Sequence, residues 1–164
     1  MSAPCDIIDE GPRFCAKQFG IHHVATLGTP AFPTSLRFDL IYLISVFTHS
    51  PVAAHRALLD QVVAALAPGG LLVFTAQSES YLDFLGDIGP YFVHQRNAIE
   101  NALKEKGYFY GQYPHYLSNY GVALHSRSFI EQLTAEQAPD LRLTHYGELE
   151  ASKRQDLFVY QRKP

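Results

Sequence analysis

Between residues 38 and 75 the chain carries a pattern that leaves few folds open. Phe38-Asp39-Leu40-Ile41-Tyr42-Leu43-Ile44 is a run of strand formers with little alternation, the pattern of a strand buried on both faces. Ser50-Pro51 reads as a helix start, a hydroxyl cap followed by proline at the first helical position. Val52, His55, Leu58, Leu59, Val62, Val63 and Leu66 then recur at three- and four-residue steps, which makes one apolar helix face. Pro68-Gly69-Gly70 stops that helix, and Leu71-Leu72-Val73-Phe74-Thr75 predicts a second buried strand. Strand, helix and strand in so short a span predict a right-handed crossover within a parallel sheet.

The flanks extend this α/β reading. Residues 11–19 predict a short helix closed by Gly20, and residues 22–27 a strand. Residues 28–37, with Pro30 and Pro33, read as a loop. Residues 91–106 predict a polar helix with Phe92, Ile99 and Leu103 inward, ended by Gly107. Residues 126–134 predict another helix. Residues 141–146 and 157–161 alternate enough to be strands, expected as an antiparallel pair closing the sheet. There is no internal repeat and no low-complexity segment.

With 164 residues the chain is the size of one domain, long enough to fold without disulfides or metal. Thirteen basic and sixteen acidic residues give a net charge of −3, so no basic excess points to nucleic acid. No apolar run approaches the length needed to span a bilayer, and the first residues show no signal peptide. Cys5 and Cys15 cannot make a disulfide framework, and reduced thiols in the cytoplasm are the simplest reading.

Residues 38–49, from Phe38 to His49, resemble the fourth-strand motif of class I S-adenosylmethionine-dependent methyltransferases. Leu66-Ala67-Pro68-Gly69-Gly70-Leu71-Leu72-Val73-Phe74-Thr75 is similar to the family's L-x-P-G-G turn into its fifth strand. Gln155-Asp156-Leu157-Phe158-Val159 is similar to the last strand of one subgroup. Asp6-Ile7-Ile8-Asp9-Glu10 and Phe14-Cys15 resemble the acidic end of the second strand and the helix after it. The resemblance covers nearly the whole chain and is weakest in residues 77–120.

The resemblance implies an α/β fold: a Rossmann-like methyltransferase sheet with helices on both faces and its last two strands antiparallel. It implies a single domain over residues 1–164, with a substrate-lid-like insertion at 76–125. The family's glycine-rich loop after its first strand has no counterpart, since no Gly-x-Gly occurs. Ala25-Thr26-Leu27-Gly28 also lacks the family's carboxylate after the third strand. The expected form is therefore N-terminally truncated: a piece of a longer enzyme, an inactive remnant acting as a binding or oligomerisation module, or a chain whose missing strand another chain supplies. The implied activity is methyl transfer from S-adenosylmethionine to an oxygen or nitrogen of a small-molecule acceptor. A small-molecule binding module without cofactor is a third reading.

The implied sites follow the same resemblance. Asp6, at a strand's carboxyl end, would accept both ribose hydroxyls of the cofactor; the alternative is a solvated aspartate. Ser45, Val46 and Phe47 would line the cofactor at the end of a central strand, unless Phe47 is core. His49 would act as general base or be a helix-start histidine bonding backbone. Tyr108, Tyr110, Tyr113 and Tyr116, with His115 and Tyr120 in the same segment, would bind the acceptor as a lid, or form a loop packing its rings on the sheet or at a dimer contact. His22 and His23 would face opposite sides of a strand, so no metal is expected. Self-association through exposed sheet edges is expected if a central strand is missing.

Overall fold

The computed structural model describes residues 5–6, 10–21, 25–26, 36–114 and 120–164. Among these the elements run β1 (Cys5–Asp6), α1 (Glu10–Phe19), β2 (Ala25–Thr26), β3 (Phe38–Leu43), α2 (Val52–Ala65) and β4 (Leu66–Ala76). A 3₁₀ helix (Glu79–Ile88) follows, then α3 (Pro90–Val93), α4 (Arg96–Lys106), β5 (Tyr108–Gln112) and β6 (Gly121–His125). α5 (Arg127–Gln137), β7 (Leu141–Ala151) and β8 (Gln155–Arg162) complete the chain. The main sheet has the order β3-β4-β8-β7. β3 runs parallel to β4, while β8 is antiparallel to both β4 and β7. β1 and β2 form a separate parallel ladder, and β5 and β6 a separate antiparallel one.

α2 buries the stripe read from its periodicity: His55, Leu58, Leu59, Val62 and Ala65. These pack with Ile41, Leu43, Phe74 and Phe158 into the principal core. Aromatic rings form its centre, with Phe74 stacked on Phe47 at 4.7 Å and on Phe158 at 5.2 Å. The helix ends at Ala65, ahead of the Pro68-Gly69-Gly70 expected to stop it, and Leu66, expected on the helix face, is extended and opens β4. Gly69 takes a φ of +77°, and a side chain on Gly70 would meet the carbonyls of Ala67 and Phe38. The Pro68-Gly69-Gly70 turn therefore needs glycine for both conformation and close approach.

Three expectations are corrected. β3 is not buried on both faces: Ile41 and Leu43 are core, but Leu40 and Tyr42 are 57% and 62% exposed. Among the described residues β3 is an edge strand, and no described element packs over the face that carries Leu40, Tyr42, Ile44 and, on β4, Leu71. The polar helix at 91–106 is two helices, α3 and α4, because Gln95 leaves helical geometry at ψ 3°. Its inward residues Phe92, Ile99 and Leu103 are nevertheless buried in a second core, with Val122 and Leu124. The segment after Gly107, which takes a φ of +68°, is a strand of a hairpin and not a loop.

α1, α5, β7 and β8 fall where the sequence placed them, and most of the expected loop at 28–37 lies outside the described residues. α1 closes at Gly20 with φ +63°. Ser126 caps α5 by accepting from the Phe129 amide at 3.1 Å. The expected strand at 22–27 is described only at Ala25–Thr26, and His22 and His23 lie outside the described residues. No helix among the described residues is long and apolar enough to cross a membrane.

Candidate functional site

In α/β sheets, ligands bind at the carboxyl ends of the parallel strands, and here that edge is built by the turn after β3. Ser45 takes a φ of 57°, rare for a residue with a side chain. Its amide donates to Thr75 Oγ1 at 2.9 Å, and its carbonyl accepts from Thr48 Oγ1 at 2.8 Å. Its hydroxyl lies 2.9 Å from Gln155 Nε2 and 3.2 Å from Gln155 Oε1. The main chain then passes Val46 and drives Phe47 into the core, 1% exposed and 4.7 Å from the His55 ring. The Phe47 ring thus supports the turn from below, the core alternative left open by the sequence.

The loop continues along β6. Gly121 N–H donates to the His49 carbonyl at 3.0 Å and Ala123 N–H to the Thr48 carbonyl at 2.9 Å. The His49 ring sits against the same strand, its Nδ1 2.9 Å from the Gly121 carbonyl. A carbonyl only accepts, so Nδ1 carries the hydrogen, and Nε2 of the neutral ring holds the free lone pair. Tyr120 stacks on this imidazole at 5.1 Å, and Tyr113 lies 6.3 Å away. Tyr113 also meets Tyr120 at 5.5 Å and the Phe92 edge at 5.5 Å. Gly121 can have no side chain, since a Cβ would meet the Gly111 carbonyl.

The tyrosine candidates separate. Tyr113 joins His49, with Tyr120 as the third ring. Tyr108 points the other way: its hydroxyl accepts from the Val52 amide at 3.0 Å, and its ring stacks on Phe129 at 5.3 Å. Burial pushes the Tyr108 hydroxyl up to about 12. Tyr108 therefore supplies the cap expected of Ser50, whose hydroxyl donates instead to the Val46 carbonyl at 3.1 Å. Tyr110 is half-buried, and its hydroxyl has no hydrogen-bond partner among the described residues. Tyr116 and His115 lie outside the described residues. Asp6 lies in β1 opposite Thr26, in a ladder not hydrogen-bonded to the main sheet. Thr75 and Gln155 were not site candidates by sequence, because nothing in their local pattern marks them as partners of Ser45. Among the described residues no group of three metal-ligating side chains comes together.

Behind the site, the buried imidazoles of His55 and His125 lie 5.0 Å apart, set against the backbone of Phe47, Ser50 and Gln77. Desolvation lowers the His55 pKa to about 4 and holds His125 well below the usual histidine range. Both are neutral core residues and not proton carriers of the site.

No protein-family model and no curated protein sequence matches this chain. Solved structures do match. N-methyltransferase NodS from Bradyrhizobium japonicum WM9 is 18% identical over 99% of this chain and 73% of its own, with a TM-score of 0.52. NodS is also matched in its complex with S-adenosyl-L-homocysteine. A methyltransferase dependent on S-adenosylmethionine from Methanosarcina mazei is 14% identical over 98% of this chain and 81% of its own, with a TM-score of 0.61. An O-methyltransferase family 2 protein from Planctomyces limnophilus DSM 3776, in complex with apigenin, is 15% identical over 98% of this chain and 43% of its own, with a TM-score of 0.56. The chain has the class I S-adenosylmethionine-dependent methyltransferase fold, with its last two strands antiparallel.

Proposed function

We propose that this chain takes part in methyl transfer from S-adenosylmethionine to an oxygen or nitrogen of a small-molecule acceptor. The observation that carries this reading is the His49 ring, fixed by the Gly121 carbonyl with Nε2 free, beside the carboxyl end of β3 in a methyltransferase fold. The residues fit a sulfonium cofactor. The Ser45 turn brings no positive charge there, its hydroxyl and the Gln155 carboxamide being bound to each other, and the Tyr113 and Tyr120 rings attract a cation. Held there beside the Ser45 turn, S-adenosylmethionine would supply an electrophilic methyl group. His49 Nε2 takes the proton that the acceptor oxygen or nitrogen loses as its bond to carbon forms. The hairpin holds the imidazole in place during this step, and Tyr113 and Tyr120 cover the acceptor from the side of β5 and β6. Asp6 is the proposed ribose ligand and Val46 part of the cofactor wall; Tyr110 and Tyr116 complete the proposed acceptor side. A cytoplasmic location is proposed on cysteine usage, since two cysteines make no disulfide framework.

Calorimetric titration with S-adenosylhomocysteine tests the cofactor, and turnover of a small-molecule acceptor panel tests the base. Histidine 49 to alanine, His49→Ala, lowers turnover by about 10²-fold if Nε2 takes the proton. Turnover unchanged in that variant overturns the base assignment, and absence of saturable binding by the wild-type chain overturns the cofactor.

A second reading rests on the edge of β3, which no described strand pairs. An antiparallel, two-fold pairing of β3 with β3 of a second copy continues the sheet and brings the Leu40 and Tyr42 rows of both copies onto one surface. Light scattering distinguishes the cases: a mass of twice 18.4 kDa supports the pairing, and a strict monomer refutes it.

A further inference from the structure

Ser45 has no polar group left unused, and each is bound by a side chain. Thr75 binds the amide from 30 residues away, Gln155 the hydroxyl from 110 residues away, and Thr48 the carbonyl from three residues on. A residue with a side chain in the left-handed region persists only where its surroundings over-determine it, and such residues gather at ligand sites. Glycine would adopt this φ without help. Serine needs the clamp, and in return offers the hydroxyl that Gln155 grips. Gln155 opens β8 at the edge where β3 and β4 end, so it reaches Ser45 across β4.

We propose that Gln155 is a positioning residue of the cofactor site: through the Ser45 hydroxyl it holds Ser45 in the left-handed conformation that sets the Val46 and Phe47 backbone against the cofactor. The inference rests on the methyl-transfer reading and adds to it a residue from the last strand. Gln155 acts on the ligand through Ser45. Its loss relaxes the turn toward ordinary extended backbone, and the site edge moves with it.

Titration of the ¹⁵N-labelled chain with S-adenosylhomocysteine, followed by amide shifts, tests the proposal. The wild-type chain shows saturable shifts at residues 45–47. Gln155→Ala weakens binding by about five- to tenfold, the worth of one hydrogen bond, with a melting temperature within about 4 °C of wild type. Gln155→Glu retains affinity, since a carboxylate still accepts from the Ser45 hydroxyl. Adding Ser45→Gly to Gln155→Ala restores binding, because glycine takes the left-handed conformation unaided. A merely structural glutamine gives a different result: a lower melting temperature, unchanged affinity and no rescue by glycine. Unchanged affinity in Gln155→Ala overturns the positioning role and leaves the cofactor reading standing. Absence of saturable shifts in the wild-type chain overturns the cofactor reading and the positioning role together.

Discussion

Acidification from pH 7 to pH 4 destabilises this fold through His55 and His125. Both rings are buried, at 0% and 1% exposure, and the groups packed on them are Phe47, Tyr108 and Phe129, none of them a carboxylate. Desolvation lowers the His55 pKa from 6.5 to about 4. Above pH 6.5 the imidazole is neutral in the folded and unfolded chain, and folding has no proton linkage through it. Between pH 6.5 and pH 4 the unfolded chain binds a proton that the folded chain refuses, so stability falls with pH. Two and a half units at about 1.4 kcal/mol each amount to about 3 kcal/mol for His55. His125, lowered first by burial and then by the charge of His55, adds a loss of the same sign. Carboxylates also lose stability in acid, so a difference measurement isolates the histidines. Urea melts at half-unit steps from pH 7 to pH 4 give the slope for wild type, His55→Leu and His125→Leu. Replacing either histidine flattens the slope by about 1.4 kcal/mol per pH unit over the window in which that imidazole differs between the two states. A His55→Leu chain with the wild-type slope from pH 6 to pH 4.5 refutes the reasoning.

Leu59 is 1% exposed at the centre of the α2 stripe, and Leu59→Ala costs about 2–5 kcal/mol in denaturant melts. A loss below about 0.5 kcal/mol shows that the cluster does not pack as described. Tyr108→Phe removes the acceptor for the Val52 amide while keeping the ring on Phe129, so it lowers stability by about 1 kcal/mol and leaves the acceptor Michaelis constant unchanged. A raised Michaelis constant with unchanged stability returns Tyr108 to the acceptor site. Tyr113→Ala, by contrast, raises that constant, because its ring lies beside His49; an unchanged constant in that variant removes Tyr113 from the acceptor wall.

Local patterns settled the parts of the fold whose causes are local. The α2 stripe and the Gly20 and Gly107 stops each depend on neighbours a few residues apart, and each was legible. The strands at 141–146 and 157–161 were legible because alternation reports burial on one face. The apolar run at 38–44 was misread for a related reason: composition shows what a strand could bury, whereas the neighbour and the covering layer decide what it does bury. Leu40 and Tyr42 remain exposed because no described element lies over the face they point to. The site shows the same division. His49 and Ser45 could be placed by their position after a strand, but the tautomer of His49 depends on a carbonyl 72 residues away. Tyr108 became a helix cap, and Gln155 a partner of Ser45 across 110 residues, only through tertiary packing. Such partners share no periodicity with the residues they hold. A hydrogen bond between distant strands depends on sheet order and register, and these are properties of the whole packed chain rather than of any segment within it.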